Sequence, residues 1–172
     1  MSFPNIKLIL LIVGFVSLCG CASRASSLAK ATAKIDSCSL ITKEEAAAAL
    51  DGDIEVTLTD KACAYSGVAT RSSSNATRHG NIVVIVVTSD SPEFQKFGLS
   101  HDEDTVAKSI SGLGDRAVLF ESRARPDEGA RAIQVLKGNV YVAIGMSTSP
   151  RPVSVDVLKS LAAKALSRLP TP

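Results

Sequence analysis

The sequence predicts an α+β fold of two layers, in which a mainly antiparallel sheet has its helices packed on one face. Strand-like segments separated by turn signals fill most of residues 54–146. Helical segments lie near both ends of this region, at residues 41–52 and 154–169. With 172 residues, of which 45% are hydrophobic and 21% charged, the chain suffices for one core and is short for two domains.

The first predicted helix covers residues 41–52. Thr42 and Glu45 have the spacing of a capping box, in which each side chain accepts a hydrogen bond from the other residue's free amide. Gly52 is expected to supply the left-handed residue that ends the helix. Apolar and polar side chains then alternate over residues 54–58, which predicts a half-buried strand.

The next segment predicts a strand, a loop, a second strand and a short helix. After a strand at residues 62–65, residues 66–80 are rich in Ser, Thr and Arg, which indicates a mobile loop. Residues 82–87 are all β-branched, as is typical of a central strand covered on both faces or of a strand at a contact surface. Ser91 and Pro92 have the residue types that begin a helix.

Residues 104–108 fit either a short helix or an edge strand, and residues 112–115 predict a turn. Gly138 and Asn139 are a tight-turn signal between two strands. The remaining predicted elements are a strand at residues 117–121, a polar hairpin loop at 123–129, strands at 131–137 and 139–146, and the final helix at 154–169.

The first 20 residues have the organisation of a signal peptide. Lys7 precedes the uncharged apolar run Leu8–Leu18, which is short for a transmembrane helix of about 20 residues. A short transmembrane anchor is the alternative. The sequence Leu18-Cys19-Gly20-Cys21 resembles a lipobox, the motif whose last Cys receives a diacylglycerol and becomes the first residue of the mature chain. Two acyl chains anchor a protein stably where one is marginal.

The lipobox resemblance implies a lipid on Cys21 and a membrane as the first partner. Residues 21–37 are then the lipidated N-terminus and a flexible tether, with a frayed helix as the alternative, and residues 38–172 are a single domain. The position after Cys21 is Ala22 and not Asp, which implies the outer membrane, facing the periplasm, in a Gram-negative host.

Cys38 and Cys63 are the two cysteines left for the folded domain. An even pair in an oxidising compartment predicts a structural disulfide, worth about 3.5 kcal/mol for a loop of about 26 residues. The alternatives are a metal site, whose zinc spacing is not met, and a redox pair, which would more often be Cys-x-x-Cys.

The composition argues against several classes of function. The formal net charge is +2, Trp is absent and aromatic residues are 4%, so no nucleic-acid partner is expected. The chain has His79 and His101 but no Gly-x-Ser-x-Gly elbow, which leaves an envelope hydrolase as a minor alternative. Residues 101–104, His-Asp-Glu-Asp, lack calcium-loop spacing. The expectation is therefore no enzyme, no cofactor and no metal.

Two predicted loops carry candidate binding residues. Residues 66–80 contain Arg71, Arg78 and His79, and residues 122–130 contain Arg123 and Arg125. If both loops link consecutive strands, their tips could lie at one end of the sheet and form a basic patch for an acidic or phosphate-bearing partner. The alternative is that both are solvated loops.

Three motifs in this order resemble a group of secreted bacterial lipoproteins of unknown function that is common in actinobacteria. They are Cys38-Ser39-Leu40-Ile41-Thr42 with Glu45, then Cys63-x-Tyr65, then Gly112-Leu113-Gly114-Asp115-x-Ala117. The resemblance implies a disulfide-bonded α+β domain outside a membrane and brings no catalytic residues.

The predicted function is a lipid-anchored, non-catalytic binding module of the cell envelope that recognises a protein or a small ligand. A structural or accessory role in an envelope assembly is the alternative. A cavity lined by apolar side chains would favour a small ligand, whereas a flat apolar patch would favour a protein.

Overall fold

The computed structural model describes residues 35–70, 77–94, 104–123, 130–149 and 153–170. After a 3-10 helix at Ser37–Ser39, the elements are α1 (Lys43–Leu50), β1 (Asp53–Leu58), β2 (Ala62–Thr70), β3 (Thr77–Thr88), β4 (Thr105–Ile110), β5 (Arg116–Ser122), β6 (Arg131–Lys137), β7 (Val140–Ser149) and α2 (Val155–Ser167). This confirms the predicted sheet-rich α+β fold. Residues 34–172 form a compact unit of their own.

The seven strands form one open antiparallel sheet in the order β1-β2-β3-β7-β6-β5-β4. The sheet consists of two meanders, β1 to β3 and β4 to β7, joined where β3 pairs with β7. His79 lies opposite Ser149 at one end of that pairing, and Thr88 lies opposite Val140 at the other. The β-branched run of β3 therefore lies on a central strand, as predicted, and β1 and β4 are the edges of the sheet. The predicted coverage of both faces is not found, since Val83 and Ile85 on one face are only half-buried.

The core is built on the side chains of alternate positions along the strands. Val84 lies opposite Cys63 on β2 and Ile144 on β7, and all three are fully buried. Residues directly opposite each other in an antiparallel pair share a face, so these side chains form one continuous row. The same buried cluster includes residues from both helices: Ala46 and Leu50 of α1, and Leu158, Leu161, Ala162, Ala165 and Leu166 of α2.

Helix α1 begins as the sequence predicts. The Thr42 side chain accepts from the amide of Glu45 at 3.2 Å, and the Glu45 carboxylate accepts from the amide of Thr42 at 3.0 Å. The end of the helix was predicted wrongly. Asp51 and not Gly52 adopts the left-handed conformation, with φ of 59°. Asp is one of the few side chains that tolerate this region, and its amide donates to Ala47 O at 2.8 Å.

The predicted disulfide is present. It joins Cys38 of the 3-10 helix to Cys63 of β2, with Cα atoms 5.0 Å apart. The buried Tyr65 hydroxyl lies beside this bridge, where it donates to Ile41 O and lies 3.2 Å from Cys38 O. The bridge and the tyrosine together fasten the segment before α1 to the sheet.

The prediction of a mobile loop over residues 66–80 is wrong for residues 66–70 and 77–80. Residues 66–70 continue β2 and residues 77–80 begin β3, and they pair in register from Ser66 opposite Asn81 to Thr70 opposite Thr77. Thr and Val are good strand formers even in a polar segment, and ladder hydrogen bonds satisfy the backbone regardless of side-chain polarity. The hairpin tip, residues 71–76, lies outside the described residues.

The second half follows the prediction closely. Residues 105–110 adopt the edge-strand alternative, and the turn before β5 has Gly112 and Gly114 at positive φ. Gly138 turns β6 into β7 with φ of 59°. At Ser91, Phe94 N donates to Ser91 O in a turn, and the rest of that predicted short helix lies outside the described residues. No helix in the described ranges has both the length and the apolar character needed to cross a bilayer.

Candidate functional site

A groove of about 440 Å³ lies near one end of the sheet, against β3, β7, β6, β5 and the start of β4. Its floor is a row of four residues on neighbouring strands, brought together by the strand register. Val83 of β3 lies opposite Gly145 of β7, Gly145 lies opposite Ala132 of β6, and Ala132 lies opposite Phe120 of β5. These residues alternate with the core positions Val84, Ile144 and Ile133, and they therefore point to the other side of the sheet.

The depth of the groove comes from small residues between larger ones. A Cβ atom added to Gly145 would meet no atom of the described residues within 4 Å, so among them the space above the floor is open. Val83 is half-buried on one side of this gap, and Phe120 is buried on the other. A glycine inside a strand often marks a place where a ligand or another backbone comes close.

One end of the groove is polar. Asn81 lies opposite Ser147, and Thr105 lies opposite Ser122, in the row next to the apolar floor. Their amide and hydroxyl groups can both donate and accept hydrogen bonds. A ligand with an apolar body and a polar end would therefore meet both kinds of surface.

An ionic cluster lies at the same end of the sheet, on positions that alternate with the groove floor, since Glu121 follows Phe120 and Arg131 precedes Ala132. The Glu121 carboxylate is 2.5 Å from Lys108 Nζ and 2.9 Å from Arg131 Nε, and an Arg131 guanidinium NH donates to Val153 O. The hydrogen bond from Lys108 lowers the pKa of Glu121. A carboxylate with a lowered pKa is poorly suited to proton transfer near neutral pH. Glu121 is therefore better described as the fixed negative partner of the two cations than as an acid or a base.

Gln134 lies two residues after Ala132 in β6 and therefore on the same face of the sheet as the groove floor. Its side-chain oxygen is buried and accepts no hydrogen bond from any of the described residues. A buried carbonyl without a donor is costly, so this face has an unused acceptor close to the groove.

Of the residues of the predicted basic patch, the structure describes three, which lie on two different strands or just after them. His79 is exposed on β3, Arg78 lies beside it in that strand, and Arg123 is exposed just after β5, where its amide donates to Asp104 O at 2.6 Å. Arg71, Arg125 and the lipidation candidate Cys21 lie outside the described residues.

The two hairpins that carry these residues leave the sheet at the same end. On β7, Ser149 faces His79 near the β2–β3 tip, and Met146 faces Arg131 near the β5–β6 tip. Whether the arginine side chains meet there stays a prediction.

Among the residues that the structure describes, no three His, Cys, Asp or Glu side chains are grouped closely enough to hold a metal ion. His101, Asp102 and Glu103 lie outside those ranges, and Asp104 lines the polar end of the groove.

Sequence reasoning missed the groove itself. Its floor residues come from four strands, and only the register brings them together. The available signal was Gly145 inside an otherwise apolar strand, since a glycine there weakens a strand without a local reason.

Comparisons with protein-family models, curated proteins and solved structures found no match to this chain. The resemblance to secreted lipoproteins therefore rests on the three sequence motifs alone.

Proposed function

We propose that this chain is a lipid-anchored, non-catalytic binding module of the cell envelope whose groove takes a small ligand with an apolar body and a polar end. The observation that carries the proposal is the open space above Gly145, between Val83 and Phe120.

The dimensions and the lining of the groove support a small ligand. Its volume of about 440 Å³ is within the range of small-molecule sites, which is about 300–1,000 Å³. Such sites have a mainly apolar lining and a few polar groups that orient the ligand. Here Val83 and Phe120 offer the apolar contacts, and Asn81 and Ser147 offer the hydrogen bonds.

The groove also needs a face that the helices do not cover. We propose a two-layer arrangement in which α1 and α2 both pack on the face of Val84 and Ile144. The shared cluster of buried residues from both helices and from that face supports it. The face of Gly145 would then be available to a ligand.

The proposed location is the cell envelope, with residues 38–172 as the folded domain outside the membrane. The lipobox at Cys21 supports it, and so does the Cys38–Cys63 disulfide, because such bonds persist in oxidising compartments. In a Gram-negative host the proposed place is the outer membrane, facing the periplasm. An envelope protein is the alternative partner for the same face.

Filling the groove tests the proposal. Gly145→Leu would place a side chain above the floor, and its Cβ would meet none of the described residues within 4 Å. Titration of the lipid-free chain from Ala22 onwards with the fluorescent probe anilinonaphthalene sulfonate measures occupancy of the groove. We expect saturable binding to the unsubstituted chain and an affinity at least about tenfold lower for Gly145→Leu.

Ser109→Leu is the matched control, since it adds the same side chain to an exposed position of edge strand β4 outside the groove. It should leave the affinity unchanged. Equal binding by the unsubstituted chain and Gly145→Leu would exclude the groove as the binding site.

A further inference from the structure

The outer edge of β1 presents backbone hydrogen-bonding groups that no other described strand pairs with. Within the described part of the chain, β1 pairs only with β2. The Thr59 amide donates to Ala62 O at 2.8 Å across the turn between these strands, so odd-numbered residues of β1 form the hydrogen-bonded pairs with β2. The backbone N–H and C=O groups of Ile54, Val56 and Leu58 therefore point outward, away from β2.

This edge is also apolar. Val56 is 40% exposed and Leu58 is 62% exposed, and among the described residues they are the exposed large hydrophobic side chains. Both lie on one face of β1, opposite Tyr65 and Cys63. The other edge strand, β4, has the exposed cation Lys108 near its middle, which is a usual protection against pairing with another strand.

The edge is complementary to a second copy of itself. Two β1 strands related by a two-fold axis perpendicular to the sheet run antiparallel. Because residues that lie opposite each other share a face of the sheet, their numbers differ by an even number. The axis therefore passes beside one residue of β1, which lies opposite its own copy. An axis at Glu55 would oppose two like charges, and an axis at Leu58 would oppose Val56 to Asp60. These two registers are unfavourable.

The two remaining registers, with the axis at Val56 or at Thr57, place apolar residues opposite apolar residues. An axis at Val56 opposes Ile54 to Leu58, and an axis at Thr57 opposes Val56 to Leu58. The second also opposes Asp53 to Lys61, which are opposite charges. In both registers Glu55 faces a threonine of the other copy.

We propose that two copies of this chain associate through the outer edges of β1, in antiparallel pairing with the two-fold axis at Val56 or Thr57. The pairing joins two seven-stranded sheets into one continuous sheet. It covers the exposed apolar side chains and uses the outward backbone groups. The inference does not depend on the groove, because β1 and the groove occupy different strands.

Cysteine crosslinking of the full-length chain in its own membrane tests this pairing. Val56→Cys and Thr57→Cys each place a thiol on one of the two possible axes, where it would meet its copy in the second chain. After mild oxidation, a non-reducing gel should show a band at twice the monomer mass for at least one of them. The stronger band identifies the register.

Two controls accompany the crosslinking. The unsubstituted chain, processed in the same membrane, gives the background from its native cysteines. Ser109→Cys gives the background from an exposed position on the other edge strand, β4. No dimer band above both controls, or crosslinks to other proteins only, would overturn the proposal.

Charge insertion gives an independent measurement. Val56→Lys and Leu58→Lys would place repelling charges in the paired edge, and both positions are exposed in the single chain, so the melting temperature should hold. Sedimentation velocity of the chain from Ala22 onwards should show self-association weakened at least about tenfold. Ser109→Lys should leave it unchanged, and association as strong as that of the unsubstituted chain in both β1 variants would contradict the pairing.

Discussion

Glu45 joins the first and last helices of the domain. Its carboxylate lies 2.6 and 2.8 Å from the two terminal nitrogens of Arg168 and 3.3 Å from Lys164 Nζ. Arg168 also donates to Leu40 O at 2.7 Å. The hydrogen bonds from Arg168 hold the pKa of Glu45 at about 2, below its ordinary value of 4.5. A planar two-point contact of this kind is among the stronger ion pairs.

The Arg168–Glu45 pair predicts a specific pH dependence. Because the pKa of Glu45 is lower in the folded chain, the pair stabilises the fold above the unfolded pKa of about 4.5 and loses this contribution as the pH falls towards 2. Arg168→Met should lower the free energy of unfolding by about 1–3 kcal/mol at pH 7. Urea denaturation at several pH values should show the difference shrinking below pH 4.5.

Lys159→Met is the control for this residue, since it removes a cation from the same helix outside the ion pair. It should change the free energy of unfolding little at any pH. A loss for Arg168→Met that is the same at pH 7 and at pH 2 would contradict the role assigned to Glu45.

At the scale of elements, the turn between β4 and β5 has two glycines with different demands. Gly112 and Gly114 both have positive φ, at 82° and 57°. A Cβ on Gly114 would lie 2.4 Å from Leu136 O and 2.6 Å from a Val135 methyl carbon, whereas one on Gly112 would meet none of the described residues within 4 Å. Position 114 therefore requires glycine for space as well as for conformation, whereas position 112 requires it for conformation alone.

Alanine substitutions should separate these two demands. Gly112→Ala should cost about 1 kcal/mol, from backbone conformation alone. Gly114→Ala should cost at least about 2 kcal/mol more, because the turn must move away from β6. Thermal melts of the two variants measure the difference, and equal losses would show that the close approach to Leu136 is not limiting.

The elements that could be predicted are those with local signals. The capping box of Thr42 and Glu45 and the tight turn at Gly138 depend on residues close in sequence, and both are present. The polar ends of β2 and β3 could not be recognised, because their strand conformation is set by pairing with each other and, for β3, with β7. The groove has the same cause, since Val83 and Phe120 are brought together only by the register of the strands between them.

For the whole molecule, the proposed lipid anchor predicts where the lipid is attached. Cys21→Ala removes the thiol that a lipobox at this position would modify, so the chain should lose incorporated palmitate. Cys19→Ala is the matched control, because that residue departs with the signal peptide. Palmitate labelling followed by immunoprecipitation measures both, and palmitate incorporation into Cys21→Ala equal to that of the unsubstituted chain would exclude Cys21 as the lipidated residue.

The ion pair between the two ends of the folded domain has a consequence for the synthesis of the chain. Glu45 and Arg168 are 123 positions apart, and β3 finds its inner neighbour only when β7 has been made. A ribosome delivers the first meander long before either partner exists. A nascent chain halted before Val140 therefore presents the β-branched backbone edge of β3 to any chaperone or protease it meets.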